Sequence, residues 1–91
     1  MSARVRVPTI LRTYTAGESE VAADGDTLSD VLDSLDASYP GIKARIVDEQ
    51  GALRRFVNVY VGNDDVRFLD GLKTPVGSDA QVSVIPAVAG G

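Results

Sequence analysis

The chain has 91 residues, 13 acidic and 9 basic, giving a net charge of −4 at pH 7 and a pI near 4.5. That length suits one domain near the lower end of what supports a core without staples, and the acidic balance argues against a nucleic-acid binder, which normally presents a basic face. Cysteine and histidine are both absent, so disulfides, thiolate metal centres and a cysteine nucleophile are excluded, and the usual general base and commonest metal ligand are missing.

Read from the N-terminus, Met1–Val7 has no apolar signal core and no stretch approaches the length of a membrane span, so the expectation is a cytoplasmic protein without membrane contact. Arg4-Val5-Arg6-Val7-Pro8 alternates polar and apolar, which predicts a half-buried strand with Val5 and Val7 inward. Thr15-Ala16-Gly17 is a turn, and Glu18–Val21 reads as an edge strand paired back on the first, closed by Asp24-Gly25-Asp26. Thr27 is a good N-cap, with Asp30 three residues on as an acidic variant of the capping box. Leu28, Val31, Leu32 and Leu35 then recur at helical spacing, predicting about three amphipathic turns that end at Tyr39-Pro40-Gly41. Ile42–Val47 suggests one further turn, and Asp48-Glu49-Gln50-Gly51 a surface turn.

Phe56–Val61 is the strongest strand signal, with Val57, Val59 and Val61 on one face and Phe56, Asn58 and Tyr60 on the other. Asp65–Phe68 reads as a short returning strand, Leu69–Val76 as an irregular connection, and Gln81–Ile85 as the last strand, with Pro86 stopping its ladder. The order β-β-α-β-β-β predicts an α+β domain with a mixed sheet of about five strands and one helix across one face. With the terminal strands parallel in the middle, this is the β-grasp or ubiquitin-like arrangement. A second helix near 69–80, required by a ferredoxin-like alternative, is opposed by Gly71, Pro75 and Gly77.

Residues 86–91, Pro86-Ala87-Val88-Ala89-Gly90-Gly91, form the chain's most informative segment. The expectation is a domain over residues 1–85 and a flexible tail over 86–91 with a reach of roughly 20 Å. Two glycines leave no side chain near the Gly91 carboxylate, which can be threaded into another protein's narrow active site. Pro86 stiffens the start of the arm and lowers the entropy lost on docking.

These residues resemble the MoaD/ThiS family of ubiquitin-like sulfur carriers over essentially the whole chain. The likeness is carried by Leu11-Arg12, Gly25-Asp26-Thr27-Leu28, the Phe56–Val61 strand and the ending, where Ala87 replaces the second proline of the MoaD pattern. Val7–Arg12, Arg55–Val61, Asp65–Phe68 and Pro86–Gly91 are most similar to the branch serving actinobacterial cysteine biosynthesis. The resemblance implies no bound cofactor and no enzyme, but a protein co-substrate. An E1-like adenylyltransferase and sulfurtransferase of the MoeB/MoeZ type would activate Gly91 with ATP and magnesium and convert it to a thiocarboxylate. A pyridoxal-phosphate cysteine synthase would accept the sulfur, and a metalloprotease would release the product. A MoaD-like subunit of molybdopterin synthase and a ubiquitin-like modifier are the alternatives, and a thiosugar or tRNA acceptor is a further possibility.

If Val82 and Val84 face inward, Ile85 faces out beside the tail and becomes a candidate partner anchor, with Phe56 and Tyr60 as extensions of its patch. Arg12 is a candidate contact for the activating enzyme, and Val88 and Pro86 belong to the segment that would enter it. Asp64-Asp65 and Asp24/Asp26 are read as turn chemistry and not as metal ligands.

Overall fold

The computed structural model describes residues 2–55, 57–77 and 79–86, with the backbone alone at Pro86. Five strands and two helices follow the chain as β1 (Ser2–Arg6), β2 (Glu20–Asp24), α1 (Leu28–Ser38), α2 (Lys43–Ile46), β3 (Val57–Val61), β4 (Asp64–Asp65) and β5 (Gln81–Pro86). The sheet order is β2-β1-β5-β3-β4. β1 and β5 run parallel at its centre, and the remaining neighbours are antiparallel. This is the expected β-grasp topology.

Period-two alternation builds one side of the core. Ala3 and Val5 of β1, Val21 and Ala23 of β2, Val57 and Val59 of β3, and Val82 and Val84 of β5 are all buried. Against them α1 turns Leu28, Val31, Leu32 and Leu35, none more than 1% exposed. The helix starts where the sequence predicts: the Thr27 hydroxyl accepts from the Asp30 amide at 3.3 Å. Gly25 precedes it because nothing larger fits, since a Cβ there would lie 2.5 Å from the Val31 nitrogen.

Four local expectations are corrected. The first strand is Ser2–Arg6 rather than Arg4–Pro8, although Val7 is still buried. β2 begins at Glu20 rather than Glu18. The turn before it is longer because the buried Thr15 donates its hydroxyl to the Glu18 carbonyl at 2.9 Å, and Ala16 and Gly17 both take positive φ. Asp65–Phe68 is not a strand: β4 is two residues long, and Val66–Phe68 winds into a 3₁₀ turn. The Asp65 carboxylate caps that turn by accepting from the Arg67 amide at 2.9 Å, and Val66 plugs the core. Pro86 does not stop the ladder short of itself but belongs to it, paired with Val57. Proline is tolerated there because this end of β5 pairs with β3 and no longer with β1, so the missing N–H breaks no ladder on that other side.

Away from the sheet, Tyr14 Oη accepts from Arg45 Nε at 2.7 Å, tying the β1–β2 connection to α2. That hydrogen bond holds the Arg45 guanidinium above its ordinary pKa. Among the described residues, no helix is long and apolar enough to cross a membrane.

Candidate functional site

The two central strands pair over only three rungs, Arg4–Gln81, Val5–Val82 and Arg6–Ser83. Beyond Arg6 the chain turns away: the Val7 amide bonds to the Ser19 carbonyl at 2.8 Å, and Pro8 has no amide to offer a neighbour. Residues Thr9–Leu11 then form a 3₁₀ turn. β5 meanwhile continues to Pro86 with only β3 beside it. The divergence opens a groove of about 470 Å³, walled by Val7, Pro8, Ile10 and Arg12 on one side and Ser83, Val84 and Ile85 on the other.

Ile85 projects from the outer face and is 48% exposed. Its outward facing is the expected consequence of Val82 and Val84 pointing into the core. Ile10 faces the same groove and is 67% exposed. Sequence reasoning did not single it out, because the 3₁₀ turn that displays it has no hydrophobic periodicity to read. Two large aliphatic side chains thus flank one groove, an exposed apolar pair of the kind found at protein–protein contacts.

Arg12 also lines this groove, half-buried, with Nε donating to the Val7 carbonyl at 3.1 Å. The same side chain therefore braces the diverging loop and forms part of the groove wall. Tyr60 is half-buried on the outer face, in the rung shared with Ser83 and Asp65, and does not line the groove. Phe56, Val88, Gly90 and Gly91 lie outside the described residues, as does the side chain of Pro86. The structure thus gathers Ile85 and Arg12, adds Ile10, and sets Tyr60 one strand away.

The chain has no histidine or thiol, and among the described residues the groove lining has no carboxylate. Its donors are the hydroxyls of Thr9, Ser19 and Ser83 and the guanidinium groups of Arg6 and Arg12. Such a lining suits recognition and lacks a general base. The paired acids likewise serve the fold. Asp24 accepts from the Ser2 hydroxyl at 2.7 Å, and Asp65 caps its own turn.

A central strand, β5, thus ends beside an exposed apolar groove. The ThiS family model matches residues 5–91. The chain belongs to the ThiS family. The sulfur carrier protein CysO of Mycobacterium tuberculosis is 48% identical over 93 residues, covering 100% of both chains. The chain of this kind in the Amycolatopsis orientalis BexX/CysO complex superposes with a TM-score of 0.92 at 47% identity, over 98% of this chain and 99% of that one. The small archaeal modifier protein SAMP1 of Methanosarcina acetivorans gives a TM-score of 0.81 at 30% identity, over 99% of this chain and 96% of that one. Against these ThiS-family and ubiquitin-like neighbours, the β-grasp topology of the chain is unambiguous.

Proposed function

We propose that this ThiS-family protein is a sulfur carrier whose working group is the Gly91 carboxylate. A single observation carries the reading: the family match runs through both glycines, from residue 5 to residue 91. The relatives named as sulfur carriers support it. In this reading the chain is a co-substrate, and its partners supply the catalysis.

The chemistry follows from what a carboxylate lacks. Its negative charge repels nucleophiles, so an E1-like enzyme with MgATP first transfers AMP to Gly91 and releases pyrophosphate. The terminal sulfur of a persulfide on a sulfurtransferase attacks the acyl carbon and expels AMP. A second thiol then cleaves the sulfur–sulfur bond, leaving a thiocarboxylate on Gly91 and a disulfide on the donor. The likeness to CysO chains favours cysteine synthesis as the destination, with a pyridoxal-phosphate enzyme as acceptor and a metalloprotease to release the product. The likeness to SAMP1 favours a second reading, conjugation of Gly91 to a lysine.

Intact mass after incubation with the E1-like enzyme, ATP and a persulfide donor tests both readings. Exchange of one oxygen for sulfur supports the carrier; a lysine adduct replaces it with the modifier; no change removes both. Removal of Gly91 draws the carboxylate back by about 3.5 Å. Sulfur incorporation should then vanish while the thermal melt stays that of the full chain.

A further inference from the structure

The end of the sheet that leads into residues 87–91 is a two-stranded ribbon. β1 pairs with β5 only as far as Ser83, so among the described residues Val84–Pro86 have β3 alone beside them. β3 is equally bare there, because β4 pairs only with Tyr60 and Val61. The Gly62 amide donates to the Gln81 carbonyl at 2.8 Å, and alternation along the antiparallel ladder then makes Asn58–Ile85 its last hydrogen-bonded pair. A two-stranded ribbon on its own is marginal in water, so this one needs support from outside the ladder.

We propose that Arg67 supplies it: a positioning residue that stands in for a missing β4 rung and fixes the base of the segment ending at Gly91, a role that rests on the carrier reading above. Its backbone is set by the buried Val66 beside it and by the Asp65 carboxylate, which accepts from the Arg67 amide at 2.9 Å. Its guanidinium forks onto the start of β3. One amino group donates to Asn58 Oδ1 at 2.5 Å and the other to the Arg54 carbonyl at 2.6 Å. The same carbonyl accepts from the Val57 amide at 3.1 Å. The fork therefore closes the turn that leads into β3 and grips the residue paired with Ile85. Both acceptors are neutral, so the interaction is directional and not an ion pair. One planar group reaches both of them, a geometry that the single ammonium of lysine does not reproduce. With this end loosened, a docking partner would have to order the ribbon as well as the segment beyond it. That cost falls on binding and leaves the chemical step at Gly91 untouched.

The test compares Arg67→Lys and Arg67→Ala with the wild type and with Thr27→Ala, which loses its cap at the start of α1 and serves as a control for general destabilisation. Amide hydrogen exchange is followed at Ile85, which reports opening of the ribbon, and at the buried Leu32, which reports opening of the whole domain. Leu32 should exchange faster in all three variants. Ile85 should accelerate by about fivefold in both Arg67 variants and stay at the wild-type rate in Thr27→Ala. In sulfur incorporation with the E1-like enzyme, ATP and a persulfide donor, both Arg67 variants should raise KM for the chain about threefold with kcat unchanged. Thr27→Ala should alter neither constant. Ile85 exchange that is unchanged in the Arg67 variants, or that rises equally in Thr27→Ala, would overturn the proposal. So would an unchanged KM, or an Arg67→Lys variant that matches the wild type and thereby assigns the effect to charge rather than to the fork. A wild type that gains no sulfur would sink the carrier reading instead, and Ile85 exchange would then decide by itself whether Arg67 braces the ribbon.

Discussion

The two faces of the sheet are built from the same five strands and do opposite work. On β5, Val82 and Val84 are buried against the core while Ile85, one residue along, stands 48% exposed at the groove. On β1, Val5 is sealed under α1 while Arg4 and Arg6 face outward. Alternation separates buried side chains from displayed ones at single-residue resolution. The inner face cannot lose a methyl group without leaving a cavity, whereas outer side chains can change with little effect on folding. The proposed carrier role would use this division, because a partner could grip the outer face without straining the small core.

The sharpest way to break the contrast is from the inside. Leu32 is fully buried on α1, so Leu32→Ala should lose about 2–5 kcal/mol in urea denaturation. A loss well below that range would mean that the helix–sheet layer is not the main source of stability. Thr27→Ala removes the hydroxyl that accepts from the Asp30 amide and should cost about 1 kcal/mol, read in the same experiment. Ile85→Asp sharpens the comparison from outside. Its folding cost should stay within about 1 kcal/mol, the span of strand propensity. Its affinity for the E1-like enzyme should nevertheless fall by about fivefold or more, as expected for an apolar interface anchor. Circular dichroism showing Ile85→Asp unfolded would place that side chain in the core and erase the distinction between the faces.

Much of the architecture was legible before any coordinates, because it rests on periodicity. The spacing of Leu28, Val31, Leu32 and Leu35, the Thr27 cap, and the alternation around Val59 and Val82 each identify an element and its buried side. The outward facing of Ile85 follows from the same count. Errors cluster where side-chain hydrogen bonds compete with the ladder. Thr15 lengthens the turn before β2, and Asp65 converts an apparent strand into a 3₁₀ turn, since a polar side chain bonding its own backbone leaves no hydrophobic trace.

The candidate site divides in the same way. The two-glycine segment and the exposed isoleucine are properties of local sequence and could be named from it. The groove could not, because it exists only where β1 leaves β5 after three rungs, bringing Ile10 and Arg12 against residues more than seventy positions away. Sequence alone determined which residues alternate, where the main helix is capped and where the two glycines stand in the chain. Tertiary structure alone decided which side chains meet, because such meetings depend on how the strands diverge in space and not on any spacing along the chain.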